Sequence, residues 1–188
     1  MVPSLETERL HLRPFELADA PQIQAIFPRW EIVQYLASAV PWPYPPDGAY
    51  TFLRDHALPA MAHGDSWIWS LRLKTAPEQI IGAIEVCRGA GNNRGFWIVP
   101  QWRRQGLMTE AVIAATDYWF DVLGFPLLRA PKAIANAGSR RISEKTGMRI
   151  VEVVERDFVG GRFLSEIWEI TAEEWHAYRK RQWGEPLR

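Results

Sequence analysis

The sequence has a single cysteine, Cys87, among 188 residues. One thiol closes no internal disulfide, so stability has to come from a packed core. No redox or nucleophile motif surrounds Cys87, and it reads as a strand thiol rather than a nucleophile. Net charge is missing too: Lys plus Arg and Asp plus Glu each total 22. That balance argues against a broad surface for nucleic acid or anionic lipid and leaves room only for a local basic patch. No apolar run approaches the roughly 18 residues that span a bilayer. The opening "MVPSLETERLHLRPF" carries charges where a secretory leader would be apolar. The expectation is a cytoplasmic protein with no membrane partner and no direct nucleic-acid partner. His11, His56, His63 and His176 are scattered without metal-ligand spacing, so no metal is expected. There is no Gly-Lys-Ser/Thr of a P-loop and no Gly-x-Gly-x-x-Gly with its acidic partner.

What is present is apolar content of 47 %, enough for the core of one domain over residues 1–188. "ERLHLRPF" alternates and reads as a strand. "LADAPQIQAIF" reads as a short helix with Asp19 as its N-cap, and "RWEIVQYLASAV" as another turn or two. "PWPYPP" lacks too many amide N–H groups for regular structure and forms a loop carrying Trp42 and Tyr44. "DGAYTFLRDHALPAMAHG" is helical, split or kinked by Pro59 and stopped by Gly64. "SWIWSLRLK", "QIIGAIEVC" and "RGFWIVP" are strands, with "GAGNN" a loop before the third. "EAVIAATDYWFDVLG" is a buried helix closed by Gly124. "LLRAPKAI" is a strand candidate, and "NAGSRRISEKTG" a helix capped by Asn136 and ended by Gly147. "MRIVEVVERDF" and "RFLSEIWEI" are strands around Gly160-Gly161. A capping box, Thr171 with Glu174, opens a last helix at about 171–182, followed by a short tail. This order argues for an α+β fold around a central, mostly antiparallel sheet.

The most informative stretch is "RRQGLMTEA", Arg103 to Ala111. A strand, a basic loop with a glycine and then a buried helix make an anion site. First-turn N–H groups lack internal partners, and the helix dipole adds positive charge there. Gly106 lets backbone approach a ligand, and Arg103 and Arg104 add guanidinium groups. Solvated arginines at a corner would give the same short string.

The stretch resembles the acyl-CoA motif of the GNAT N-acetyltransferases, Gln/Arg-x-x-Gly-x-Gly/Ala, here Arg103-Arg104-Gln105-Gly106-Leu107-Met108. Met108 departs from Gly/Ala. With Thr109-Glu110-Ala111 it is similar to the RimJ/RimL-like branch, the ribosomal-protein N-terminal acetyltransferases. "LETERLHLRPF", "IIGAIEV", "GFWIVPQWRRQGLMTEAV" and "NAGSRRISEKTGM" resemble that branch's segments in order, with Met148 in place of its usual Phe. The resemblance implies a GNAT fold: a mixed, mostly antiparallel sheet splayed at the cofactor strand and flanked by helices. It implies acetyl-CoA as co-substrate, with pyrophosphate on the N–H groups of Arg104, Gln105, Gly106, Leu107, Met108 and Thr109. Pantetheine would lie along Phe96, Trp97, Ile98 and Val99, with an N–H near Ile98 or Val99 holding the oxyanion. Attack by the amine would be direct. Ser139, the serine of Asn-x-x-Ser, is the implied proton donor, and Asn136 a cap that also touches the cofactor arm.

An α-amino group with a pKa of about 7.7–8.0 needs little help to lose its proton. Candidate bases are Glu85 and Asp157, with Glu155 as a fallback if the register slips. Trp30, Trp42 and Tyr44 form either an acceptor wall or a loop pinned by its own aromatics. The acceptor is expected to be a protein N-terminus or a small amine, and the protein a monomer or homodimer. An antibiotic- or polyamine-modifying acetyltransferase and a non-catalytic acyl-CoA-binding protein are the alternatives.

Overall fold

Near-continuous apolar runs, buried on both faces, form the centre of the first sheet. Its strands are β1 (Leu5–Glu6), β2 (Leu10–Pro14), β3 (Ser66–Leu73), β4 (Ala76–Cys87) and β5 (Arg94–Ile98), hydrogen-bonded in that order and antiparallel throughout. A second antiparallel sheet has the order β6 (Leu127–Ala133), β8 (Gly161–Thr171), β7 (Arg149–Phe158). This is a computed structural model, and it describes residues 1–89 and 91–183. The tail expected after the last helix and one residue of the "GAGNN" loop lie outside the described residues.

Two apolar clusters cover opposite faces of the first sheet. On one face Leu10, Leu12, Trp67, Trp69, Ile84 and Val86 pack under α5 (Leu107–Asp117) and its continuation, a π-helical turn at Tyr118–Val122. That cluster also takes Leu128 and Ala130 from β6 and Trp175 from α7 (Ala172–Trp183). On the other face Ile68, Ile80 and Ala83 meet α1 (Ala20–Ile26), α2 (Trp30–Val33) and the segment from α3 (Gly48–Phe52) to α4 (Leu58–His63). Alternation therefore assigns each residue of β4 and β5 to one face or the other. The buried indoles satisfy their N–H groups: Trp69 donates to the Pro3 carbonyl at 2.7 Å, Trp119 to Leu127 at 3.0 Å and Trp175 to Asp117 at 2.9 Å.

Local chemistry explains several helix ends. Gly64 and Gly147 sit in the left-handed region at φ +74°. The Thr171–Glu174 box forms as expected, with Thr171 N–H donating to Glu174 at 2.8 Å and Glu174 N–H to Thr171 at 3.2 Å. Pro59 is accommodated by a π-helical turn, Leu53–Ala57, between α3 and α4. Asp19 is a correction. Its backbone is helical and its side chain makes no cap to α1. The carboxylate accepts instead from the Glu16 N–H at 3.1 Å and pairs with Arg72 at 2.6 Å, both side chains nearly buried. Arg72 also donates to Ser70 and to the Pro77 and Glu78 carbonyls. The pair joins the helical layer to β3. Asp19→Ala would strand a buried guanidinium and is expected to lower the unfolding free energy by about 3 kcal/mol. Urea denaturation measures it, and a loss under about 1 kcal/mol would show the pair to act like a surface bridge.

Candidate active site

β5 and β6 are neighbours that do not zip together. The Asn93 N–H donates to the Arg129 carbonyl at 2.7 Å, and the Arg129 N–H to the Asn93 side chain at 2.9 Å. Further along both strands, the Lys132 ammonium lies 4.5 Å from the Phe96 ring centre. The strands thus run in the same direction, which supplies the mixed character expected of the sheet. Among the described residues no ladder joins them past Asn93.

The other edge of β5 is fully used. Cys87 N–H donates to the Asn93 carbonyl at 3.0 Å and Val99 N–H to Ile81 at 2.9 Å, with Glu85 opposite Gly95 and Ala83 opposite Trp97 between them. In an antiparallel ladder alternate residues turn both backbone groups to the partner. Gly95, Trp97 and Val99 therefore face β4, while Phe96 and Ile98 present their N–H groups to the open seam. Val99 lies just past the strand with its N–H engaged, and Ile98 carries the free donor.

The basic loop follows at once. Gly106 caps α5 with φ +81°, and Arg104 is also left-handed at φ +64°. Every N–H from Arg104 to Thr109 lacks an acceptor among the described residues; Glu110 is the first to donate back, to Gly106 at 3.0 Å. The two arginines differ. Arg103 donates to the Ile98 carbonyl at 3.3 Å and to the Glu31 carbonyl at 2.7 Å, so it ties the loop to α2 and is not a free phosphate ligand. Arg104 is exposed and makes no such tie among the described residues.

A residue that sequence reasoning passed over stands beside the loop. Arg9 donates to the Gln105 carbonyl at 3.0 Å and pairs with Glu110 at 2.7 Å. A Cβ on Gly106 would lie 3.3 Å from its Nη2. Glu110 also accepts from the Thr7 hydroxyl and, at 2.8 Å, from the Arg9 N–H. Its place in the first turn thus anchors the opening strands to α5. A cavity of about 440 Å³ adjoins, bordered by Gly106, Thr109, Ile113 and Lys145.

On the far side of the seam, β6 leads into α6 (Ala137–Lys145). Asn136 caps it by accepting the Ser139 N–H at 3.2 Å. Ser139 is buried, and its hydroxyl bonds to nothing among the described residues.

The opposite sheet face carries Glu85. It shares that face with Ala83, Ile68 and Trp97. Gly95 opposite it leaves its carboxylate uncovered, with a notional Cβ 3.9 Å away. Burial pushes the Glu85 pKa above its ordinary 4.5, opposed by a hydrogen bond from the Ser66 hydroxyl. Cys87 nearby is driven to about 12 by burial and then by Glu85, which leaves it an unreactive thiol. Trp97 is half-exposed. It packs edge-on to Phe27 at 5.2 Å, and Phe27 likewise to Tyr44 at 5.1 Å. Burial pushes the Tyr44 hydroxyl up to about 12. Trp30 and Trp42 lie together at 5.6 Å and are exposed. Asp157 is elsewhere in character: exposed, bonded to Arg162 at 2.9 Å and 3.1 Å, and held below its ordinary pKa by that guanidinium. An anion stabilised in this way is a weaker proton acceptor than an unpaired carboxylate. Glu155 is exposed on the same strand.

A positively polarised loop running into an unpaired strand edge suits an extended ligand with a diphosphate at one end. A half-buried carboxylate and an aromatic row on the other face suit a second substrate. That is the class of a two-substrate group transferase. The sequence matches the family described as acetyltransferase (GNAT) domain over residues 9–149. The chain belongs to the GNAT family of acyl-CoA-dependent N-acetyltransferases. Its fold is similar to that of the ribosomal-protein-S5-alanine acetyltransferase from Vibrio fischeri, with 17 % identity, TM-score 0.77, and 92 % of this chain and 98 % of that one covered. It is similar to Mycobacterium smegmatis RimJ in complex with CoA-disulfide at 19 % identity and TM-score 0.75, covering 93 % and 91 %. RimL, the ribosomal L7/L12 α-N-protein acetyltransferase solved with coenzyme A, aligns at 11 % identity and TM-score 0.72 over 90 % and 98 %. No curated protein matches the sequence. Among the described residues no helix is long and apolar enough to cross a membrane.

The raised Glu85 pKa makes a pH-dependent stability prediction. Between 4.5 and the raised folded value the native state binds more protons than the unfolded state, so stability falls as pH rises through that window. Above it the desolvation penalty of the half-buried carboxylate remains. Glu85→Gln is expected to raise the thermal midpoint at neutral pH and to match the wild type below about pH 4, where both are neutral. A midpoint difference independent of pH would show that Glu85 is not a desolvated carboxylate.

Proposed function

We propose that the protein is a RimJ/RimL-like acetyltransferase, one domain acting in the cytoplasm. It moves acetyl from acetyl-CoA to a primary amine, a protein N-terminus or a small amine. The observation that carries this reading is the continuity of unpaired donors from Ile98 and Phe96 on the strand edge to the loop N–H groups of 104–109. The loop and the α5 dipole would hold pyrophosphate, with Arg104 and Arg9 as neighbouring cations. The Phe96 and Ile98 edge would pair with the pantetheine amides as an added strand, and Ile98 N–H would polarise the thioester carbonyl. Asn136 keeps its cap role while bordering the same arm.

Acceptor chemistry falls on the other face. Trp97, Tyr44, Trp30 and Trp42 would form its wall, giving an amine apolar and cation–π contact. Glu85 is the base we assign. Its raised pKa brings it nearer to an α-amino group than an exposed carboxylate would be, and one water suffices to relay the proton. Ser139, buried with an unused hydroxyl at the start of α6, would hydrogen-bond the departing sulfur.

Two measurements test this. Acetyl-CoA at a hundredfold excess over its dissociation constant is expected to stabilise the fold by about 2.7 kcal/mol. Gly106→Val should remove most of that gain, because φ +81° and the approach to Arg9 exclude a branched side chain. A folded Gly106→Val protein that binds like wild type would overturn the loop's role. In steady-state assays over an amine panel, Glu85→Gln is expected to lower turnover by about 10²-fold and abolish the acidic limb of the pH–rate profile. Asp157→Asn should leave that limb in place. The reverse pattern would restore Asp157 as base.

A further inference from the structure

The seam holds more positive charge than the structure neutralises. Lys132 is buried, and among the described residues no carboxylate lies within ion-pair distance of it. Arg94 is buried as well. Its Nη1 donates to Thr116 Oγ1 at 3.2 Å, its Nη2 meets Met148 Sδ at 3.1 Å, and its Nε has no partner. The carboxylates nearby in register are committed elsewhere. Glu166, opposite Lys132 on β8, is held by Arg140 at 2.7 Å and 2.8 Å and by Trp168 at 3.1 Å. Glu169 is held by Arg129 and Arg149. Buried cations without a counter-ion are unfavourable and favour negative charge that develops beside them.

Two places gain negative charge when a thioester is cleaved: the carbonyl oxygen, which faces Ile98 N–H when the acyl-CoA lies along the seam, and the sulfur. Alternation sets Lys132 beside Leu128 and Ala130, and Phe96 beside Arg94, on the α5 face. Glu85 and Trp97 point to the other face. A proton acceptor for the incoming amine and a cation for the leaving group thus sit on opposite faces of one seam.

We propose that Lys132 is a catalytic acid that protonates the departing CoA sulfur. This rests on the acetyl-CoA reading of the seam. The amine nitrogen bonds to the carbonyl carbon, and the C–S bond breaks with its electron pair on sulfur. Lys132 Nζ delivers a proton to give the CoA thiol, and the surplus proton of the amine leaves toward Glu85. Solvent reprotonates Lys132 and takes up the proton held by Glu85 before the next cycle. A serine hydroxyl is a weaker acid than a thiol, so Ser139 orients the sulfur while Lys132 supplies the proton. The surroundings suit the role. Burial, then the charge of Arg94, holds Lys132 well below the usual lysine range, so it gives up its proton more readily than a free lysine. The charged groups facing it are Arg94 from β5, Glu166 from β8 and Arg140 from α6, while α5 contributes the uncharged Thr116.

The test uses the full chain and Lys132→Met, with Lys132→Gln as a second variant. Met removes a buried cation and is expected to fold at least as stably. Calorimetry compares CoA with acetyl-CoA. Loss of the ammonium should weaken CoA about tenfold more than acetyl-CoA, because only CoA presents an ionisable sulfur. In turnover, kcat should fall about 10²-fold, and the basic limb of the pH–rate profile should vanish in both variants but persist in Ser139→Ala. A merely structural lysine would move both affinities together and leave the basic limb in place, and that result overturns the proposal. If the wild type binds neither CoA nor acetyl-CoA, the acetyl-CoA reading falls and this inference with it. Wild-type binding with an unchanged affinity ratio and an unchanged basic limb in the variants sinks this inference alone.

Discussion

Everything in the site depends on a strand that is paired on one edge only. β5 is stitched to β4 along its length and touches β6 through Asn93 and Arg129 at one end. Backbone donors are rarely left without acceptors inside a fold. A seam that leaves Phe96 and Ile98 unpaired, and a loop that leaves 104–109 unpaired, is favourable only where water or a ligand completes them. Two parallel strands that begin together and part also aim the segments after them. β5 runs into the basic loop and α5, and β6 into Asn136 and α6. The two helix starts therefore flank the same opening.

The first sheet separates two chemistries. One face has α5, the buried cations Arg94 and Lys132, and Ser139 at the head of α6. The other has Glu85, the row Trp97–Phe27–Tyr44 and the exposed Trp30–Trp42 pair. Strand alternation alone produces this division, because neighbours such as Phe96 and Trp97 cannot share a face. Arg103 and Arg9 hold the loop between these regions. Arg103 binds it to α2 and Arg9 to the first strands, so its unusual backbone is supported from both sides.

Much of this was legible in the sequence where the cause is local. The Asn136 cap, the Thr171–Glu174 box, the glycine stops and the basic, glycine-containing loop before α5 each arise from a few adjacent residues. The family's motif order placed the splay at the strand now seen as β5. The illegible part depends on distant partners. Asp19 reads as a cap until Arg72 is placed beside it, and Arg103 reads as mobile until Glu31 and Ile98 take its donors. No local pattern links Arg9 to Gly106. Val99 and Ile98 could not be told apart as donors before the register with Ile81 and Gly82 was known. Lys132 did leave a trace: it comes after Leu128 and Ala130 at period two, a lysine where the pattern calls for a core residue.

The central claim is that acetyl-CoA completes the unpaired edge of β5 and the loop after it. Residue-resolved amide hydrogen exchange, with and without acetyl-CoA, tests this most directly. Slowing is expected at Phe96, Ile98 and the amides of 104–109. Gly95, Trp97 and Val99, already bonded to β4, should change little. Protection that spares Phe96 and Ile98, or that spreads evenly along β5, would contradict it.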